Sequence, residues 1–115
     1  MTRIFVYGSL KRGYGLNCVL TGQRFLGDAR TTPGFRLYDV GAFPAMVAYS
    51  DGIAVRGELY EVDNRCLWEL DRIEGEGRLY ERVEIELDCG RAQTYLFLPS
   101  TNGMKDVGDC WEPER

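Results

Sequence analysis

Hydrophobic and polar positions alternate most clearly over residues 80–88 of this chain. Within that segment a valine, an isoleucine and a leucine occupy every second position, with charged residues between them. This period of two predicts a strand with one buried and one solvated face. Cys89-Gly90 supplies turn residues, and residues 92–98 resume the apolar pattern as the expected hairpin partner.

A helical period replaces the strand period over residues 64–73, where apolar residues recur at intervals of three and four. Asp63 is the expected N-cap, because its carboxylate can accept a free backbone N–H of the first turn. Gly75 and Gly77 are expected to end the helix, because glycine readily adopts a positive φ. We therefore predict one main helix.

Shorter apolar segments predict further strands, and residues 15–20 have room for a single helical turn. The segments lie at residues 4–7, 23–29, 35–39, 41–47 (a loop that leads into a strand at Pro44) and 55–62. About six or seven strands and one helix predict a single α+β domain, residues 1–115, built as a small closed or nearly closed β-barrel. Residues 101–115 are polar around Trp111, so we expect a loose tail pinned through that residue, or a partly disordered one.

Composition narrows the function classes. The chain has 115 residues, 44% of them hydrophobic and 28% charged, as an ordinary globular domain has. Its formal charge of −4 argues against a nucleic-acid-binding surface, which needs clustered lysine and arginine. No apolar run approaches the ~18 residues of a membrane span. The first residues lack the pattern of a secretory signal, so we expect a cytoplasmic protein.

The chain contains no histidine, which excludes Ser-His-Asp and Cys-His mechanisms and the usual zinc sites. Its four cysteines form no C-x-x-C pair, and we expect thiols in small apolar spaces. Neither a metal nor a cofactor is expected. A general acid or base must therefore be a carboxylate, a lysine, a tyrosine or a cysteine.

Glu74 stands at the C-terminal end of the predicted helix, where its charge opposes the helix dipole. With partial burial, that position raises the pKa of a carboxylate toward values useful for proton transfer. The alternative is a solvated helix end with no chemical role. Tyr80 and Arg82 follow closely and are candidate substrate-binding residues, or else a strand start and a rim cation.

The first predicted strand runs directly into the loop Tyr7-Gly8-Ser9-Leu10. Backbone N–H groups of such a loop can hold a carboxylate or a phosphate, although an ordinary strand and turn would look the same. Ser9 has no histidine to activate it, so a binding role suits it better than that of a nucleophile.

These segments resemble, in order, the motifs of the γ-glutamylcyclotransferase-like family, which includes γ-glutamylamine cyclotransferases and AIG2-like proteins. The resemblance covers roughly residues 4–98. The matching segments are Val6-Tyr7-Gly8-Ser9-Leu10-Lys11-Arg12-Gly13, Phe43-Pro44, Gly57-Glu58-Leu59-Tyr60-Glu61-Val62-Asp63, Leu70-Asp71-Arg72-Ile73-Glu74-Gly75 and Tyr80-Glu81-Arg82, with a looser match at Gly108-Asp109 and Trp111.

The resemblance implies a small β-barrel whose Tyr7–Leu10 loop lines the substrate pocket, with Glu74 as the catalytic acid/base. It also implies a small-molecule γ-glutamyl substrate, an amine or an amino acid conjugate, that cyclises to 5-oxoproline and releases a free amine. Two positions depart from the family pattern: Cys18 stands where a histidine is common, and Phe97 where a tyrosine is common.

Two other functions remain open at this stage. A non-catalytic relative would keep the same pocket as a small-molecule-binding module. A cysteine-based redox protein would need an activated thiol pair, for which the sequence offers no signal. The particular substrate and the oligomeric state are beyond the sequence.

Overall fold

Eight β-strands, one α-helix and one short 3-10 turn make up residues 1–41 and 43–112, the part of the chain that the computed structural model describes. The 3-10 turn is Asn17–Leu20, at the predicted single turn, and the helix α1 is Asn64–Glu74. The strands are β1 (Thr2–Val6), β2 (Arg24–Arg30), β3 (Phe35–Asp39), β4 (Pro44–Ala48), β5 (Arg56–Val62), β6 (Tyr80–Leu87), β7 (Gly90–Phe97) and β8 (Lys105–Gly108).

The strands pair into a five-stranded sheet of order β2-β5-β1-β7-β6 and a three-stranded sheet of order β4-β3-β8. Strand β1 lies in the middle of the larger sheet, antiparallel to β5 and parallel to β7. Ile4, Phe5 and Val6 are all buried as a result, which explains their uninterrupted apolar run. The loop that follows β1 therefore starts from the central strand of the sheet.

Helix α1 begins and ends where its capping residues predict. The Asp63 carboxylate accepts the backbone N–H of Cys66 at 2.8 Å, and Gly75 takes the left-handed conformation with φ of 63°. Cys66 and Leu70 are buried, as the helical period predicts, but Ile73 on the same stripe is exposed. No helix in the part of the chain described here is long and apolar enough to cross a membrane.

The predicted mixture of one helix with a mainly β core is confirmed, and the hairpin of β6 and β7 has the expected position and register. Eight strands occur in the described residues rather than six or seven. Their pairing gives two sheets and no closed barrel within those residues, so the barrel is not confirmed.

The C-terminal segment is anchored through Trp111, as predicted, but it is not a loose tail up to residue 112. Strand β8 pairs antiparallel with β3, and Trp111 is only 4% exposed. The segment up to residue 112 is thus held by sheet pairing and a buried indole ring, rather than lying loose. Four mostly polar residues are too few to show a strand period, which is why the sequence did not reveal β8. The last three residues of the predicted tail, 113–115, lie outside the described residues.

Candidate functional site

A cavity of about 380 Å³ opens between the loop after β1 and the C-terminal end of α1. The four loop residues Tyr7–Leu10 line one side, and Glu74 lines another. Tyr80 and Tyr95, from β6 and β7, also line it, and most of the remaining wall is apolar. The cavity therefore brings together the predicted loop and the predicted acid/base residue, which are more than sixty positions apart in the sequence.

Glu74 is the one charged side chain among the described residues that line this cavity. Burial raises the pKa of Glu74 from its ordinary 4.5 to about 7, because a desolvated carboxylate prefers to hold its proton. No described lysine or arginine forms an ion pair with it; the ion pairs on α1 and beside it belong to other carboxylates. A carboxyl group with this pKa can both accept and donate a proton near neutral pH.

Three buried tyrosines surround the carboxylate. The Tyr7 hydroxyl donates to the carbonyl of Tyr95 at 2.5 Å, and the Tyr80 hydroxyl donates to the carbonyl of Pro44 at 2.8 Å. The Tyr95 hydroxyl donates to Oδ1 of Asp71 at 2.6 Å. Burial is the largest cause that raises the pKa of all three phenols, and the nearby charge of Glu74 raises each of them further. For Tyr95 the hydrogen bond to Asp71 is the second cause. The tyrosines therefore stay protonated and form a rigid, uncharged wall.

The loop after β1 presents free backbone donors. The amides of Gly8, Ser9 and Leu10 have no hydrogen-bond acceptor among residues 1–41 and 43–112. The loop is closed instead by the amide of Lys11, which donates to the Gly8 carbonyl at 3.0 Å, and by the amide of Leu16, which donates to the Ser9 carbonyl at 3.0 Å. Successive free N–H groups of this kind can stabilise an anion.

Three hydrogen bonds that involve side chains hold this loop in place, and two of them reach distant parts of the chain. Buried Lys11 donates through Nζ to the carbonyl of Trp111 at 2.8 Å. The backbone N–H of Arg12 donates to the carboxylate of buried Glu58, also at 2.8 Å. Asn17 donates through Nδ2 to the carbonyl of Leu10 at 2.8 Å. Such anchoring fixes the loop amides before any ligand arrives.

Gly8 is needed for packing. A Cβ atom built on Gly8 would come within 2.8 Å of Cγ and 2.9 Å of Cδ of Pro44, closer than real contacts allow. Glycine at this position lets the loop lie directly against the start of β4.

Arg82 does not belong to the cavity, contrary to the prediction. Its Nε donates to Oδ1 of Asp71 at 2.9 Å, and its Nη1 donates to the side chain of Gln93. Its guanidinium is paired with Asp71, and Arg82 is not among the described residues that line the cavity. Tyr80, predicted together with it, does line the cavity.

Tyr95 is one of the cavity residues that the sequence did not single out. Its position on β7 gave no sign that its ring would reach the end of α1, since that depends on how β7 pairs with β1 and β6. The two positions that depart from the family pattern are not part of the cavity wall. Cys18 is exposed. Phe97 is buried and packs edge-on against Tyr80, with 5.4 Å between the two ring centroids.

Comparison with known proteins gives one consistent family. Residues 4–112 match the family described as γ-glutamyl cyclotransferase, AIG2-like. The γ-glutamylcyclotransferase family protein YtfP of Escherichia coli K12 is 36% identical over 115 residues, which cover 98% of this chain and 99% of that protein. The γ-glutamylaminecyclotransferase of Rattus norvegicus is 36% identical over 95 residues, which cover 76% of this chain and 64% of that one.

A solved structure has the same fold. The crystal structure of an uncharacterized protein from Pyrococcus horikoshii superposes with a TM-score of 0.79 at 31% identity, over 95% of this chain and 89% of that one. The family match spans both the loop and the carboxylate that meet in the cavity, and the YtfP relative matches over nearly its whole length. The chain therefore belongs to the AIG2-like γ-glutamyl cyclotransferase family.

Proposed function

We propose that the protein converts a γ-glutamyl amine or γ-glutamyl amino acid into 5-oxoproline and the free amine, with Glu74 as general acid/base. The observation that carries the proposal is the position of Glu74, whose pKa burial raises to about 7, in a cavity that the loop residues Tyr7–Leu10 also line. Family membership and the names of the relatives support this class of reaction.

The reaction needs few catalytic groups because the nucleophile and the electrophile belong to one molecule. The α-nitrogen of the substrate attacks the γ-carbonyl carbon and forms the C–N bond of a five-membered ring. The bond between that carbon and the departing nitrogen then breaks. Holding the substrate in its folded conformer supplies a large part of the acceleration, since an intramolecular nucleophile has a high effective concentration.

Proton transfer is the task of Glu74. Of the three protons on the substrate's α-ammonium group, one stays on the ring nitrogen and two reach the departing amine, which leaves as an ammonium ion. In its ionised form Glu74 accepts one proton at a time and delivers it to the departing nitrogen. Each transfer returns Glu74 to the carboxylate, so the protein is unchanged after turnover.

The loop has a binding role in this scheme. The amides of Gly8, Ser9 and Leu10 hold the α-carboxylate of the γ-glutamyl group, or the oxyanion that develops on the γ-carbonyl oxygen. Because the side chains of Lys11 and Glu58 anchor the loop, these donors need little rearrangement when the substrate binds. The hydroxyl group of Ser9 contributes to binding only.

Incubation with a panel of γ-glutamyl amines, amino acids and peptides, followed by mass spectrometry for 5-oxoproline, tests the proposal. We expect 5-oxoproline in equal amount to the released amine for at least one conjugate. If every conjugate is recovered intact, the reaction assignment is wrong. If such a conjugate also binds measurably by calorimetry, the protein is a small-molecule-binding module with the same pocket.

A further inference from the structure

A second cavity, of about 360 Å³, lies apart from the one that contains Glu74, and the two have no described lining residue in common. Its lining carries three cations, Lys11, Arg30 and Arg56, and three carboxylates, Asp28, Glu58 and Asp88. The remaining described residues of the lining are small, so the second cavity offers little apolar surface and is suited to a polar ligand.

Three of these charges already have partners within the protein. Asp28 and Glu58 each pair with Arg12 at 3.2 Å, and Arg56 pairs with Asp109 at 3.1 Å. A ligand gains little from charges that are already compensated. The three other charges therefore decide which kind of ligand the second cavity suits.

Lys11 is the buried cation of the second cavity, with an exposure of 6%. Its Nζ donates to the carbonyl of Trp111 at 2.8 Å and lies 3.7 Å from Sγ of Cys110, which is a weak acceptor. No carboxylate among residues 1–41 and 43–112 forms an ion pair with it. An ammonium group has three N–H donors, so one of them has no acceptor in that part of the chain. Because a buried charge is costly without compensation, this side chain favours an anionic group in the second cavity.

Arg30 and Asp88, both exposed, lie side by side in the lining. The amide of Asp88 donates to the carbonyl of Arg30 at 2.8 Å, and the amide of Arg30 donates to Oδ1 of Asp88 at 3.2 Å. Neither side chain forms an ion pair with another described residue. The backbone thus holds one cation and one carboxylate next to each other, with their charges available to a ligand.

The charges available to a ligand have both signs. A ligand that is only an anion would pair with Lys11 or Arg30 but would place its charge near Asp88. A ligand that is only a cation would meet Lys11 and Arg30 instead. Because like charges in one site repel each other, a small ligand that carries one charge of each sign is favoured over either.

We propose that the second cavity binds a free amino acid with a short side chain, whose carboxylate pairs with Lys11 and Arg30 and whose ammonium group pairs with Asp88. The site is separate from the proposed cyclotransferase reaction and does not depend on it. Lys11 connects the two, because the Nζ that would meet the ligand also anchors the loop after β1.

Three probes that differ by one charged group test the ligand class. Propionate is L-alanine without its ammonium group, and ethylamine is L-alanine without its carboxylate. In heteronuclear NMR titrations of the full chain, we expect L-alanine to shift the amide signals of residues 28–30, 56–58 and 88. Its Kd should be at least about tenfold lower than the Kd of either probe with a single charge. If L-alanine leaves these signals unchanged, or if propionate binds as tightly, the proposal is wrong.

Single substitutions locate the binding. Arg30→Gln and Asp88→Asn change exposed side chains, and each should raise the Kd of L-alanine by at least about tenfold. Arg24→Gln is the matched control, because it makes the same change at an exposed arginine of β2 that does not line the second cavity. Glu74→Gln should leave the Kd unchanged, which distinguishes this site from the cavity that contains Glu74. An unchanged Kd in folded Arg30→Gln and Asp88→Asn, or an equal rise in Arg24→Gln, would overturn the proposal.

Discussion

The Tyr95 hydroxyl, at the wall of the candidate cavity, donates its proton to Oδ1 of Asp71 at 2.6 Å. The same carboxylate oxygen accepts from Nε of Arg82 at 2.9 Å. Asp71 and Glu74 lie three positions apart on α1, so one face of the helix carries both carboxylates. Asp71 is held by two donors, whereas Glu74 has no ion-pair partner among the described residues. Asp71 is therefore suited to a structural role, and Glu74 is suited to proton transfer.

Tyr95→Phe tests this division, because it removes the hydroxyl and keeps the ring. We expect kcat to fall less than about tenfold, because that hydroxyl donates its hydrogen bond to Asp71 rather than to the substrate. The free energy of unfolding should fall by about 1 kcal/mol, the typical net value of one hydrogen bond. Steady-state kinetics and urea denaturation measure the two quantities. A loss in kcat above about a hundredfold in a folded variant would make Tyr95 a catalytic residue.

The pH dependence of activity should report the ionisation of Glu74. The proposed reaction needs Glu74 ionised, and burial raises the pKa of Glu74 to about 7. We therefore expect kcat/KM to rise with pH and reach half of its plateau near pH 7. The phenols of Tyr7, Tyr80 and Tyr95 do not titrate in this range, because burial raises their pKa values further. A kcat/KM that stays constant from about pH 5 to 8 would contradict the assignment.

The same pKa makes a prediction about stability. Between pH 4.5 and about 7 the folded chain binds the Glu74 proton more tightly than the unfolded chain does. The free energy of unfolding contributed by this group is therefore greatest below pH 4.5 and is lost as pH rises through about 7. The glutamine of Glu74→Gln cannot ionise. We therefore expect the free energy of unfolding of this variant to rise relative to that of the natural chain, by up to about 3 kcal/mol across this pH range.

Denaturation of both proteins at several pH values measures that difference. The result to look for is a difference in free energy of unfolding that grows with pH through the window and then levels off. A difference that stays constant from acid to neutral pH would mean that Glu74 is not desolvated in the folded protein.

Lys11 should matter to the loop although it does not line the cavity. Lys11→Met keeps the aliphatic stem and removes the Nζ donor, which leaves the carbonyl of Trp111 without its 2.8 Å partner. We expect the free energy of unfolding to fall by about 1–3 kcal/mol, and KM to rise more than kcat falls, because the loop amides become less well placed. Lys105→Met, at an exposed lysine of β8, is the matched control. Equal kinetics in the two variants would show that the loop does not depend on this anchor.

Much of the fold could be predicted from signals that lie within a few neighbouring residues. The caps of α1 are set by Asp63 and Gly75 through contacts within a few residues, so their positions could be predicted. The β6–β7 hairpin is likewise local, and the sequence indicates Glu74 because its place at a helix end is a local feature. Its raised pKa, however, comes from burial by residues distant in sequence.

The features that could not be predicted from the sequence depend on pairing between residues that are far apart in the chain. The ring of Tyr95 reaches the cavity because of the register of β7, and strand β8 exists because it pairs with β3 about seventy positions earlier. The sequence predicts Arg82 in the cavity, yet Arg82 pairs with Asp71 and is not among the described residues that line the cavity. None of these outcomes leaves a periodic signal in the residues concerned.

The most direct test of the central claim compares Glu74→Gln with Glu69→Gln, two variants that each remove one carboxylate from the same helix. Glu69 pairs with Arg72 at the surface of α1 and does not line the cavity. With a γ-glutamyl amine as substrate and 5-oxoproline as readout, we expect Glu74→Gln to lose at least about a hundredfold in kcat while it remains folded. Glu69→Gln should retain the activity of the natural chain. A folded Glu74→Gln variant that turns over substrate as fast as Glu69→Gln would contradict the claim that Glu74 moves the protons.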